Sequence, residues 1–227
     1  MGEALRVVSF SWKGLIVLFV FSLILLYMEV LRIGTLNING GRDRNKRAVL
    51  AELSRTKNID VFLLQETHSS ADNEAEWGMT WRGQFFLSHG TNLSAGVAIL
   101  FSQHLHLTNV LACEAEQGRI QVVQATIRDI PFVFINVYAY NSGADRIDLF
   151  HKLNDKLKQF SSSSVIVVGG DWNCTTHPSV DRNAGEPHPP SASFLSSVVT
   201  ENDLTDVWRN LHPTVRQYTW LKVTEGS

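Results

Sequence analysis

From Leu31 onward, short apolar runs rich in branched and aromatic residues alternate with polar turns and amphipathic stretches. The runs at 31–37, 61–65, 96–101, 120–127, 132–138 and 165–169 have the length and composition of strands. Several are apolar almost without interruption, as in strands covered on both faces. A helix is predicted over 45–57, with Val49, Leu50 and Leu53 on one side. A longer one is predicted over 144–160, where Ile147, Phe150, Leu153, Leu157 and Phe160 recur at helical steps. Weaker helical patterns cover 191–199 and 205–211. The connection 101–120 and the tip at Asp129-Ile130-Pro131 read as hairpin turns. The polar tract 175–193 holds Pro178, Pro187, Pro189 and Pro190 and reads as a surface loop. Hairpins and covering helices together predict an α+β sandwich, two packed mixed sheets flanked by helices, rather than a doubly wound sheet.

The N-terminus breaks this rhythm. Residues 14–28, GLIVLFVFSLILLYM, carry no charge, follow Arg6 and Lys13, and end at Glu29. The pattern is that of a signal anchor, although it is shorter than the roughly 20 residues of a comfortable membrane span. It also runs into the first strand with almost no linker. Two readings stand side by side: a membrane helix, or a leader placed before a domain that starts near Met28. The expected organisation is an apolar extension over 1–28 and one domain over 29–227.

Composition narrows the class only modestly. With 44% hydrophobic and 19% charged residues in 227, the chain suits one large globular domain. Cys113 and Cys174 are its only cysteines, which argues against a disulfide framework or a cysteine-rich zinc site. A net charge of −2 means that any nucleic-acid contact must come from a local basic patch. Arg42, Arg44, Lys46 and Arg47 supply one, interrupted by Asp43, the alternative being a solvated helix start. Trp77, Trp81 and Trp172 could stack on bases, against a core role expected for at least two of them.

Candidate chemistry lies where apolar strands stop at polar residues. One run ends at Asn37, another at Gln65-Glu66-Thr67-His68, a third at Asn136-Val137-Tyr138, and a fourth at Gly169-Gly170-Asp171-Trp172-Asn173. A carboxylate at such a place is costly unless a cation or hydrogen bonds compensate it. Glu66 and Asp171 are oxygen ligands suited to a hard divalent ion such as Mg²⁺. Singly, each residue has a plainer role: Asn37 as a turn cap, Glu66 in a salt bridge, Asp171 and Asn173 in an Asx turn, Tyr138 in the core.

In this order, LNING, LLQETH, NVYAYN and GGDWN resemble the exonuclease–endonuclease–phosphatase superfamily over about residues 28–227. GTLNINGGRDRNKR, EAEWGMTW and LSHGTNLSAGVAILFS are more similar to the apurinic-type endonuclease domain of long interspersed elements, which are non-long-terminal-repeat retrotransposons. The resemblance implies a deoxyribonuclease-I-like four-layer fold and Mg²⁺-dependent (or Mn²⁺-dependent) nicking of double-stranded DNA. It implies a monomeric endonuclease, with a reverse transcriptase normally in the same polyprotein and a nuclear or cytoplasmic location. In that scheme Glu66 and Asn37 hold the metal, and Tyr138 contacts the scissile phosphate. Asp171 orients or activates the attacking water, and Asn173 binds the phosphate or developing oxyanion. The step Asp181-Arg182 resembles an element-specific feature of unassigned role.

Two departures follow from the resemblance. Tyr140 stands where the family pattern usually has proline. The sequence also stops at Ser227, before the family's closing strand and its Ser-Asp-His motif. On this reading the last strands are missing and activity is impaired. Two alternatives remain: an inactive remnant, and a membrane-associated phosphodiesterase of the same superfamily acting on phospholipid or inositol phosphate headgroups.

Overall fold

The computed structural model describes residues 16–19, 30–91, 93–216 and 218. Two mixed sheets pack face to face. The first contains β1 (Ile16–Phe19), β2 (Arg32–Asn37), β3 (Val61–Gln65), β4 (Phe85–Ser88) and β5 (Val97–Phe101), in the order β1-β2-β3-β5-β4. The second contains β6 (Leu107–Glu116), β7 (Ile120–Ile127), β8 (Ile130–Tyr138) and β9 (Val165–Asp171), in that order. The pairs β2–β3 and β8–β9 are parallel, while the other pairs are antiparallel.

Strand alternation explains the layering. In β3, Val61 and Leu63 face the second sheet and pack with Ile33, Ile99, Phe101, Val123, Phe134 and Val167. Phe62 and Leu64 point the other way, against Leu50 of α1 (Arg44–Lys57) and Trp77 of α2 (Glu74–Thr80). On the far side, Val133, Ile135 and Val168 pack under Phe150 and Leu153 of α3 (Gly143–Leu157). A short α4 (Pro178–Asp181) precedes α5 (Pro189–Glu201), whose Leu195 and Val198 share that outer cluster. A further short helix, α6, covers Val207–Leu211. The order helices, sheet, sheet, helices is the four-layer α/β sandwich expected, and it accounts for apolar runs buried on both faces.

Three elements escape the hydrophobic pattern. The 101–120 connection contains the ten-residue strand β6, an exposed edge strand with two register shifts that erase its alternation. Strand β4 is only four residues long, and α2 is a seven-residue helix with Gly78 inside it. The tract 175–193 is not loop throughout. It contains α4, and Pro189 and Pro190 occupy the first turn of α5, where their missing N–H groups cost nothing.

Of the apolar segment 14–28, only strand β1 is described, paired antiparallel with β2; the choice between anchor and leader otherwise lies outside the described residues. Among the described residues no helix is long and apolar enough to cross a membrane.

Candidate active site

The strand-end residues converge although Asn37 and Asp171 lie 134 positions apart. β2 and β3 end side by side in one sheet, β8 and β9 in the other, and all four ends meet on one rim. Register places Asn37 opposite Gln65, and Tyr138 opposite Asp171. Behind the rim a buried polar link joins the sheets: Gln65 Nε2 donates to Asn136 Oδ1 at 2.7 Å and to Thr35 Oγ1 at 3.0 Å. Asn136 Nδ2 in turn donates to Leu64 O and Ala98 O, both at 2.8 Å. Asn136 therefore sits behind the rim, completely buried, and its role is to dock the sheets.

Asn37 Nδ2 donates to Glu66 Oε1 at 2.8 Å and to Asp171 Oδ2 at 2.9 Å. The Tyr138 hydroxyl donates to the same Glu66 oxygen at 2.7 Å. Burial, followed by that bond to Glu66, pushes the Tyr138 phenol well above the ordinary tyrosine range, so it remains a donor. Asn173 forms the Asx turn: its backbone N–H meets Asp171 Oδ1 at 3.2 Å, while its amide donates to Ala139 O at 2.8 Å. The loops carry left-handed backbone at Asn39, Glu66, His68 and Asn173 (φ between 45° and 53°). Such conformations are uncommon outside glycine and gather where side chains must be aimed.

Two carboxylates thus share one amide donor, and among the described residues neither is ion-paired with a Lys or Arg. His68 Nε2 lies 3.7 Å from Glu66 Oε2 and is buried without a hydrogen bond. Among the described residues no group of three or more His, Cys, Asp and Glu is placed to hold a metal ion by itself. The two carboxylates are donors of the kind taken by a hard cation that keeps part of its water shell, while the Asn37 side-chain oxygen is turned to the Asn39 N–H at 3.0 Å.

The basic cluster divides. Arg42, Arg44 and Lys46 are exposed, and Lys46 Nζ donates to Asn39 O at 3.0 Å, at the edge of the site. Arg47 corrects the expectation of a DNA contact. It is 3% exposed and its guanidinium donates to Gly41 O, Arg42 O and Glu76, which turns it inward as a clamp on the Asn37 loop. Spacing carried the signal: Arg47 precedes Leu50 and Ser54, the other buried residues of α1, at helical intervals. Trp77 and Trp81 are core residues, and Trp172 packs on Phe150. Asp181 accepts from Thr175 Oγ1 at 2.8 Å and pairs with Arg209, while Arg182 pairs with Glu186. The Asp181-Arg182 step thus ties the loop after Asn173 to α6.

Cys113 and Cys174 are unbridged and partly buried against the outer cluster, and burial pushes the Cys174 thiol up to about 12. Sequence reading missed Arg119. Its guanidinium lies 4.4 Å from the Tyr138 ring centre and 4.2 Å from that of Tyr140.

The solved structure of an AP endonuclease from Archaeoglobus fulgidus superposes with a TM-score of 0.69 at 21% identity, covering 86% of this chain and 80% of that one. A TDP2 structure from Caenorhabditis elegans reaches 0.50 at 17% identity, over 63% and 47%. At these identities the likeness concerns the fold. In sequence, the chain is 31% identical over 196 residues to the transposon TX1 uncharacterized 149 kDa protein of Xenopus laevis. That alignment covers 86% of this chain and 15% of that protein. The model of the endonuclease/exonuclease/phosphatase family matches residues 34–220, a span that takes in every one of the converging strand ends. By that match, and with a deoxyribonuclease-I-like sandwich beneath it, the chain belongs to the endonuclease/exonuclease/phosphatase family.

Proposed function

We propose that this chain is a metal-dependent phosphodiesterase that nicks double-stranded DNA, the endonuclease part of a retrotransposon-derived protein. The observation that carries the reading is the pair Glu66 and Asp171, held together by one Asn37 amide and, among the described residues, without a Lys or Arg partner. Glu66 would hold Mg²⁺ (or Mn²⁺), joined by the Asn37 side-chain oxygen once that amide turns away from the Asn39 N–H, and the ion would supply positive charge for the phosphate under attack. Asp171 accepts a proton from the attacking water, and its carboxylate is aimed by Asn37 and by the Asn173 backbone N–H. Tyr138 keeps its proton and orients Glu66, and its hydroxyl would contact the scissile phosphate. The Asn173 side-chain amide, which gives one N–H to Ala139 O, would offer its second to the developing oxyanion. Exposed Arg42, Arg44 and Lys46 provide screening of flanking phosphates. The TX1 relative supports a transposon context; a reverse transcriptase in the same polyprotein is what the resemblance to long interspersed elements implies.

The test is conversion of supercoiled plasmid to the nicked form by the full chain, with Mg²⁺ and with chelator. Glu66→Ala and Asp171→Asn are each expected to slow nicking by about 10²–10⁴-fold, the usual loss for one member of a catalytic group. A sample folded by circular dichroism that leaves plasmid intact in Mg²⁺ and in Mn²⁺ overturns the reading. So does nicking unaffected by Glu66→Ala.

A further inference from the structure

We propose that His68 is a ligand of the metal through Nε2, and that this nitrogen makes the site prefer a first-row transition ion such as Mn²⁺ to Mg²⁺. The inference rests on the metal site of the proposed phosphodiesterase.

His68 and Glu66 flank Thr67, which is completely buried, and both hold left-handed backbone, at φ 50° and 53°. The backbone here is bonded on two sides. The N–H groups of Thr67 and His68 donate to Gly96 O and Ala95 O, both at 3.0 Å. The carbonyls of Glu66 and Thr67 accept from the N–H groups of Gly40 and Gly41 at 2.7 and 2.8 Å. The His68 ring lies against Gly40, where a Cβ would come within 3.1 Å of Nδ1. The imidazole is thus held against the loop that follows Asn37.

The two atoms that face each other lack partners. Glu66 Oε1 accepts from Asn37 and Tyr138, and among the described residues no hydrogen bond reaches Oε2. His68 Nε2 is buried without a hydrogen bond, and at 3.7 Å from Oε2 it is too far to make one there. Other histidines of the fold find partners. His89 reaches Ser69 Oγ at 3.1 Å and Glu74 at 3.2 Å, and Nδ1 of His188 accepts from the Ser191 N–H. An ion bonded to both atoms spans the gap that a hydrogen bond does not, since each metal–ligand bond is about 2 Å long. Nδ1 is not a buried orphan, so it can carry the ring proton and leave the Nε2 lone pair to the ion. Among the described residues no third His, Cys, Asp or Glu joins the pair, so the Asn37 oxygen and water fill the other positions. A shell of oxygens alone suits Mg²⁺, whereas an imidazole nitrogen favours transition ions. His68 therefore sets which ion the site takes.

The test is binding of Mn²⁺ by the full chain, read from the electron paramagnetic resonance of free Mn²⁺, with Mg²⁺ as competitor. Pulsed resonance on the bound ion then reads coupling to a ligand nitrogen, the signature of an imidazole. The parent is expected to hold Mn²⁺ more tightly than Mg²⁺ and to show that coupling. His68→Gln is expected to lose the coupling and to bind Mn²⁺ at least about 10-fold more weakly, a loss that even residues supporting a ligand produce. Its Mg²⁺ affinity should change little. His68→Asn should behave in the same way, and His104→Gln, exposed before β6, should keep both parental readouts. Mn²⁺ held by the parent without nitrogen coupling overturns the assignment, and no variant is needed to see it. So does coupling, or a parental ratio of Mn²⁺ to Mg²⁺ affinity, that persists in folded His68→Gln or His68→Asn. In those cases the reading as a metal-dependent nuclease survives. A parent that binds neither ion overturns both.

Discussion

Asn37 has a single amide nitrogen, and both of its protons are directed at carboxylates from different strands. Replacing it with leucine removes the donor that relieves repulsion between Glu66 and Asp171, so nicking is expected to fall by at least about 10²-fold. Circular dichroism should remain unchanged, because the site is open to water. Arg47 behaves in the opposite way. Arg47→Met leaves the carbonyls of Gly41 and Arg42 without their charged donor, at a cost of about 2–3 kcal/mol in denaturant unfolding. Glu76→Gln costs far less, since Glu76 is half exposed. Asp206 gives a pH signature. Burial raises its carboxyl pKa in the folded state, against a partly opposing bond from the Arg209 N–H. The carboxylate therefore adds no penalty while protonated, and stability is lost as pH rises through the raised value. Asp206→Asn keeps an oxygen to cap α6. Its stability advantage should be absent in acid, grow as pH rises through the carboxyl range, and level off above it.

At the level of elements, β9 works by lacking side chains. Gly170 has φ +150°, and a Cβ there would lie 1.9 Å from Val137 O, so only glycine lets β9 approach β8 immediately before Asp171. Gly170→Ala should cost at least ~1–3 kcal/mol in backbone strain alone. It should also slow nicking by displacing Asp171; a variant with parental midpoint and activity would show that β9 adjusts. Helix α1 starts with the side chain of Asp43 accepting from the Asn45 N–H at 2.8 Å and closes at Asn58 in left-handed backbone. Capping explains why an acidic residue interrupts the basic run: Asp43 sets the helix start that presents Arg44 and Lys46 outward.

Across the whole molecule, the site exists because two sheets dock in one register, and the link from Gln65 to Asn136 is the polar part of that docking. Asn136→Leu would leave two buried backbone carbonyls without their side-chain donor, each at about 1–3 kcal/mol, and would remove one of the acceptors of the Gln65 amide. Loss of stability with the site residues intact is the expected outcome. The unfolding midpoint should drop for Asn136→Leu and hold for Asn37→Leu, although both are asparagines near the polar end of a strand, Asn37 closing β2 and Asn136 two residues before the end of β8.

The strands, the two long helices and the converging residues Asn37, Glu66, Tyr138, Asp171 and Asn173 were legible in the sequence. Burial on both faces leaves a continuous apolar run, and a polar residue at its end is conspicuous. Edge strand β6 was not legible, because its bulges break the alternation that reports burial. Tertiary structure alone decided which polar residues face the site and which hold it up. Arg42 and Arg47 are near neighbours in sequence, yet one is exposed and the other clamps a loop from within. Arg119 has no partner in its local sequence, and its contacts with Tyr138 and Tyr140 arise only when the turn between β6 and β7 is pinned to β8 and the first sheet. Local pattern fixes which face of an element is apolar; the partner that a polar side chain meets depends on chain segments far away in sequence.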